Sequence, residues 1–317
     1  MRLGFVQVEV STRCQLNCLM CPKRHFEWLA KDMDIETFAR IPFRKFRYAH
    51  LQGWGEPLLN PRIDEMIEIA GRRCKVSMTT NGLLIDRHVE SICELETLAV
   101  SIASGDAALH RSVRGCELDR LKENIRLVSE LRSKKPKIVI ATMMLRSTIP
   151  SLPKIVEFAA DCGADEVVVN NLDYVPAKEL ADEVVFGWEP EAEAEKVLHE
   201  AYNLASQLGV KFAAKPLVME EALVCAENPV ENCFVTVDGM FAPCAYLHLP
   251  IRGKIVRYFG GKRFEIPKVY FESFEKWKGS ELREVFRRRM QAAYQSLPTE
   301  IPPLPEFCRT CYKAWSV

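Results

Sequence analysis

The sequence predicts an α/β fold: a parallel, barrel-like sheet followed by a smaller cysteine-rich segment. Two observations carry this. Between residues 5 and 172, six short apolar runs alternate with stretches of helical periodicity, the pattern of βα units joined by right-handed crossovers. Beyond about residue 215 the alternation stops, and cysteine, proline and aromatic residues become frequent. The chain therefore divides into 1–215 and 216–317.

The strands are expected at residues 5–10, 48–52, 75–80, 97–102, 138–145 and 166–172. Runs such as Ile138-Val139-Ile140-Ala141 are almost continuously apolar, as in parallel strands covered on both faces. Residues 61–73 place Ile63, Met66, Ile67 and Ala70 on one helical face, and 119–132 do the same with Leu121, Ile125, Val128 and Leu131. Residues 153–162 and 189–208 share the period. In the second part, 235–237 followed by Asp238-Gly239 has the form of a hairpin. The run Arg287-Arg288-Arg289 falls on a helix and is expected to be a solvated face.

Composition narrows the class. The chain has 317 residues, 48% of them apolar, with Lys plus Arg balancing Asp plus Glu at 43 each. That balance excludes general nucleic-acid binding. No stretch approaches the roughly 18 apolar residues of a membrane span. Twelve cysteines with no secretory leader point to a reducing cytoplasm and metal-bound thiolates rather than disulfides. Cys74, Cys93, Cys116 and Cys162 stand alone and are expected to be packing residues.

The chemistry is concentrated first in Cys14-Gln15-Leu16-Asn17-Cys18-Leu19-Met20-Cys21, a C-x3-C-x2-C triplet directly after the first strand. Thiolates hold iron–sulfur clusters, and three of them leave one iron of a four-iron cluster open to a ligand. The triplet resembles that of the radical S-adenosylmethionine (SAM) enzymes. The resemblance implies a partial (β/α)6 barrel, a [4Fe-4S] cluster on Cys14, Cys18 and Cys21, and SAM bound to the open iron. One electron then cleaves SAM to a 5′-deoxyadenosyl radical, which abstracts hydrogen from a substrate.

Further motifs fall at strand ends, where βα barrels carry their chemistry. Gly53-Trp54-Gly55-Glu56-Pro57 resembles the family's glycine–glutamate motif. Its Gly53 and Gly55 let the backbone approach a ligand, and Glu56 accepts from the methionine ammonium. Thr79-Thr80-Asn81-Gly82 is similar to the segment lying against SAM, which implicates Asn81. Ser101 and Arg114 match positions that bind the SAM carboxylate, and a guanidinium suits that fork. Ala103 stands where relatives often carry aspartate. Met20 occupies the position near adenine, and Asn170 and Asn171 are candidates to face adenosine or substrate.

The second part carries Cys225, Cys233, Cys244 and the C-x2-C pair Cys308 and Cys311. Two separated cysteines plus such a pair make a four-thiolate site for zinc or an iron–sulfur cluster. Cys225, thirteen residues, Gly239, four residues, Cys244 resembles the opening of the SPASM and twitch extensions of radical SAM enzymes. Residues 273–277 with Leu282-Arg283 resemble the extension's linking helix. No cysteine follows Cys311, which points to the shorter twitch form. The resemblance implies one auxiliary cluster, of the [4Fe-4S] type, on Cys225, Cys244, Cys308 and Cys311, with Cys233 the alternative first ligand. Gly239 to Cys244, then Ala245-Tyr246-Leu247-His248 and a basic, aromatic stretch over 252–263, is similar to the group that modifies the cofactor of tungsten-containing aldehyde ferredoxin oxidoreductases. His248 is either a substrate or cluster contact or a surface histidine.

The function expected is thus radical SAM chemistry in maturation of a tungstopterin- or molybdopterin-type cofactor or of a peptide. A ferredoxin- or flavodoxin-like protein would donate the electron. The substrate would be a protein-bound cofactor, a peptide or a small molecule. Two other classes compete: an electron carrier or cluster scaffold, and a zinc-bound binding module. Glu56 and Arg114 count against the carrier, which needs no SAM site.

Overall fold

The computed structural model of the chain describes residues 2–293 and 301–317. Seven parallel strands follow one another in chain order: β1 (Leu3–Val8), β2 (Phe46–Leu51), β3 (Lys75–Thr80), β4 (Thr97–Ser101), β5 (Lys137–Met144), β6 (Glu166–Asn171) and β7 (Lys211–Ala214). Short and long helices connect them: α1 (Ile35–Ala39), α2 (Ile63–Gly71), α3 (Val89–Cys93), α4 (Ala107–Arg114), α5 (Leu118–Leu131), α6 (Leu152–Asp161) and α7 (Ala192–Leu208). Six strands were expected where sequential pairing yields a seventh, β7, which joins β6 in register Glu166 with Lys211.

The helices cover one face of the sheet. α2 buries Ile63, Met66, Ile67 and Ala70, its larger side chains each stabilising the fold by about 1.5–3 kcal/mol. α5 buries Leu118, Leu121, Ile125 and Val128, whereas Leu131, expected on that face, is exposed. The other face of the sheet is not a second apolar layer. Strand residues alternate, and those turned into the partial barrel are often polar. His50 contacts Ser77 Oγ at 2.8 Å, Gln52 Oε1 at 2.8 Å and Thr79 Oγ1 at 3.1 Å. The interior is thus built to be polar near its carboxyl end.

Two more strands extend the sheet from the opposite edge. β8 (Cys233–Val235) lies parallel to β1, and β9 (Phe241–Ala242) pairs antiparallel with β8. The expected hairpin exists, and the expected boundary at 215/216 falls between β7 and β8, two strands of the same sheet. Among the described residues the sheet has nine strands, in the order β7-β6-β5-β4-β3-β2-β1-β8-β9. A separate hairpin follows, β10 (Ile255–Phe259) with β11 (Lys262–Ile266), then α8 (Phe274–Lys278) and α9 (Glu281–Ala293). Arg287 and Arg288 on α9 are solvated as expected. Arg289 departs from that face: it is only 2% exposed, paired with Glu221 at 2.7 Å and bonded to the carbonyls of Ala222, Leu223 and Pro302.

Candidate active site

The cysteine triplet sits on an irregular segment after β1, held by short-range bonds. Cys21 N donates to Cys18 O at 3.0 Å, and Lys23 Nζ donates to Cys14 O at 2.7 Å. The carboxyl end of α4 backs this loop. Leu19 N donates to Val113 O at 2.8 Å, and Arg114 Nη1 stands 3.8 Å from Cys18 Sγ. Asp106 caps the start of α4 through Leu109 N, and Gly115, at φ 76°, ends it. The left-handed turn suits glycine and leaves Arg114 beside the thiols. Cys116 packs nearby, 3.5 Å from His110 Nε2.

Cys14, Cys18 and Cys21 line one cavity of about 420 Å3 at the carboxyl ends of the strands. Met20, Gly53, Gly55, Glu56, Asn81, Ser101 and Arg114 all reach the same cavity. A larger, open depression of about 1390 Å3 lies at the amino ends of β2 to β4 among charged side chains of both signs. It contains none of these residues, and βα barrels carry their chemistry at the other end.

Glu56 is 2% exposed. Its Oε1 accepts from Thr80 Oγ1 at 2.6 Å and Leu58 N at 3.1 Å, and its Oε2 accepts from Asn81 N at 2.7 Å. Burial raises its pKa, while these donors and the nearby Arg114 charge act in the opposite direction. A carboxylate has about four acceptor sites, so one is left for a ligand. Arg114 keeps a buried, unpartnered Nε–H. A carboxylate and a guanidinium with spare capacity, facing one cavity, suit the ammonium and carboxylate of an amino acid.

A Cβ on Gly53 would meet the Glu9 side chain at 2.3 Å, and one on Gly55 would meet Ser11 O at 2.3 Å. Their small size lets the turn pack on the chain leaving β1 while it also borders the cavity. Asn170 lines the cavity, but Asn171 is turned away and donates to Pro216 O at 2.8 Å. His248 does not line the cavity and is mostly buried, 12% of its side chain being exposed, with Nε2 3.7 Å from Glu9 Oε2.

In the second part, burial raises the Cys244 thiol well above its ordinary pKa, and the Cys225, Cys308 and Cys311 thiols are near enough to add to the shift. Burial pushes Cys225 up to about 12, with Cys311 adding to it, and pushes Cys21 in the first site up to about 12. Thiols this buried become ligating thiolates only when a positive group displaces their protons. Cys233 lies apart in β8, 2% exposed, with Arg283 the charge that reaches it. Cys225, Cys244, Cys308 and Cys311 are therefore the thiols that feel one another's charge, although among the described residues no three Cys, His, Asp or Glu side chains are gathered closely enough to hold a metal ion.

The far wall of the cavity was not foreseen. Lys313 Nζ binds Asp173 Oδ2 at 2.7 Å and stands 3.7 Å from Glu227, and Tyr246 OH donates to Asp173 Oδ1 at 2.8 Å. All four side chains line the cavity. A signal was present: Glu227, Tyr246 and Lys313 each stand two residues after a cysteine of the four-thiol set. Trp54 donates from its indole to His248 O at 2.8 Å and ties this wall to the barrel.

Residues 8–159 match the Radical SAM superfamily. This stretch of the chain is a Radical SAM domain. The chain is 26% identical over 262 residues to the tungsten-containing aldehyde ferredoxin oxidoreductase cofactor-modifying protein of Pyrococcus furiosus, covering 78% of this chain and 72% of that one. It is 28% identical over 158 residues to a GTP 3′,8-cyclase of Chlorobaculum tepidum, covering 45% of this chain and 46% of the cyclase. Its fold is similar to that of SuiB of Streptococcus suis bound to S-adenosylmethionine: TM-score 0.65 at 16% identity, covering 99% of this chain and 72% of SuiB. It is likewise similar to anSMEcpe with bound AdoMet: TM-score 0.63 at 14% identity, covering 99% and 96%. The superfamily implies SAM and a [4Fe-4S] cluster as cofactors. Among the described residues, no helix is long and apolar enough to cross a membrane.

Proposed function

We propose that this radical SAM enzyme acts in the maturation of a metal cofactor of the tungstopterin or molybdopterin type, carried on a partner protein. Cys14, Cys18 and Cys21 would hold the catalytic cluster. The observation that supports this is convergence: the three thiols, the buried Glu56 carboxylate and the Arg114 guanidinium share one cavity. Glu56 would accept from the SAM ammonium, and Arg114 and Ser101 would bind its carboxylate. Asn81, fixed by its N–H to Glu56, and Met20 would line the adenosine side. The cluster, when bound, supplies the electron that cleaves SAM. The chain binds and orients SAM and keeps water from the radical.

Cys225, Cys244, Cys308 and Cys311 would hold one auxiliary cluster, and residues 216–317 would form the segment that carries it. Their chemistry fits such a group, since four buried thiols beside cationic side chains need a positive partner to ionise. The cavity is lined by the first set of thiols and, on its far wall, by Asp173, Glu227, Tyr246 and Lys313, so a substrate would sit against these four side chains. The cofactor reading rests on the similarity to the cofactor-modifying protein of Pyrococcus furiosus, and a peptide substrate is the competing one. A ferredoxin- or flavodoxin-like protein would donate the electron, in a reducing cytoplasm that keeps the twelve free cysteines reduced.

The test is anaerobic reconstitution. The protein should take up about eight irons if both sites hold four-iron clusters. With a strong reductant it should convert SAM to 5′-deoxyadenosine and methionine. A protein that binds iron at both sites yet never cleaves SAM would be an electron carrier instead.

A further inference from the structure

The stretch over residues 252–263, flagged in the sequence as basic and aromatic, forms the β10–β11 hairpin, and it delivers one arginine into the four-thiol site. Arg257 lies in mid-β10, opposite Phe264, and is 3% exposed. Its Nη2 donates to Phe307 O and to Thr310 Oγ1, the latter at 3.0 Å. These groups flank Cys308 in the C-x2-C loop. The remaining donors, Nε and Nη1, are buried and have no partner. A buried guanidinium with unmade hydrogen bonds is costly, so this one calls for an acceptor. The nearby thiols of Cys308 and Cys311 are within reach of its charge.

A second buried arginine, Arg289, also lies near Cys308. It is fully engaged by Glu221 and three carbonyls, which makes it a structural clamp. Arg257 differs in having donors to spare. Tyr258 N donates to Val175 O at 2.8 Å, and Gly260 N donates to Tyr312 OH at 2.9 Å. The hairpin is thereby held just beyond Arg257, and the guanidinium, 3% exposed, cannot easily turn to water.

We infer that Arg257 is a positioning residue for the auxiliary cluster: its free Nε–H and Nη1–H donate to sulfur at the Cys308–Cys311 edge and raise the cluster's reduction potential. The inference rests on the reading that these four thiols hold a cluster. Its physical basis is that reduction adds negative charge, and a fixed cation with aimed donors stabilises the reduced form more than the oxidised one.

The test uses the full-length, doubly loaded enzyme in a redox titration followed by electron paramagnetic resonance. Added SAM shifts only the catalytic cluster's signal, so the two potentials separate. Arg257→Met should lower the auxiliary potential enough to change the reduction equilibrium at least about tenfold, or about 59 mV for one electron. Arg257→Lys keeps the charge but loses the fork, and should fall between wild type and Arg257→Met. Both should keep the wild-type iron content. An unchanged auxiliary potential in the variants that load, or loss of the cluster in both, would overturn the inference by making Arg257 a brace only. Wild-type protein that loads about four irons rather than eight would instead overturn the auxiliary-cluster reading itself.

Discussion

The two thiol sites are built in opposite ways. The first takes its cysteines from eight consecutive residues after β1, pinned by bonds such as Cys21 N to Cys18 O and Lys23 Nζ to Cys14 O. The second gathers Cys225, Cys244, Cys308 and Cys311 across a long stretch of chain, held by hairpins, a buried arginine and the last residues. A local loop on a finished barrel should survive the loss of its metal. A site assembled from distant pieces should not, because a metal crosslink there supplies much of the order. The cavity is lined by the first set of thiols and by none of the second, so each site can be disabled while the other is observed.

The largest effect is expected from replacing Cys14, Cys18 and Cys21 together with alanine. SAM cleavage should vanish and iron content should fall by about half, with the auxiliary site still loaded. Retained cleavage at full iron would break the assignment. Replacing Cys308 and Cys311 should do the reverse. SAM cleavage should persist without substrate turnover, and limited proteolysis should cut the region after about Lys215 far faster than in wild type. Equal protection at equal iron would show that the second site is not a metal crosslink. A finer version compares Cys225→Ser with Cys233→Ser. Only the first should cost auxiliary iron, because Cys233 packs in β8 away from the other thiols.

The same contrast explains what the sequence could show. The alternation of apolar runs and helical periods is a local signal, and the barrel strands appeared within two residues of their places. Gly53, Gly55, Glu56, Asn81 and Ser101 lie beside strand ends, so their motifs were legible, whereas Glu227, Tyr246 and Lys313 reach the same cavity from the far end of the chain. Pairing of β8 with β1 was not, because a three-residue strand has no period and its partner is over two hundred residues away. Nor was the burial of Arg289, since a run of three arginines looks solvated until Glu221 and the neighbouring carbonyls are brought to it. At Gly53 and Gly55 the sequence shows that a close approach occurs, and the structure adds that the Glu9 side chain and the Ser11 carbonyl are what a Cβ there would meet.

Glu56 sharpens the comparison within the first site. Its three donors, Thr80, Leu58 and Asn81, make it part of the loop as well as a proposed SAM contact. Glu56→Gln preserves shape while weakening the charge-assisted bond, and should reduce SAM affinity by about 1.5–3 kcal/mol. Thr80→Val removes one donor without touching the cavity charge and should cost less than Glu56→Gln in the same titration calorimetry. Equal losses in the two variants would mean that Glu56 acts only through the loop.

The smallest effect probes the seam between the two regions, where Glu9 faces His248. Burial pushes Glu9 up to about 7, against the opposing donors Trp54 N and Val237 N. Burial likewise pushes His248 down to about 4, with Lys268 adding to it. Between pH 4.5 and 7 the folded protein holds a Glu9 proton that the unfolded chain has lost, so this group makes stability fall as pH rises. Between pH 4 and 6.5 the unfolded chain holds a His248 proton that the folded protein lacks, so that group makes stability rise as pH rises. In the overlap the two slopes oppose, and the pair contributes little net pH dependence. Glu9→Gln should unmask the histidine and make urea stability rise by about 1.4 kcal/mol per pH unit between pH 5 and 6, relative to wild type. His248→Gln should unmask the glutamate and make stability fall by about the same amount. Opposite slopes would show that the seam holds two neutral groups, whereas parallel curves would mean that Glu9 and His248 share a proton as an ion pair and that this latch is electrostatic.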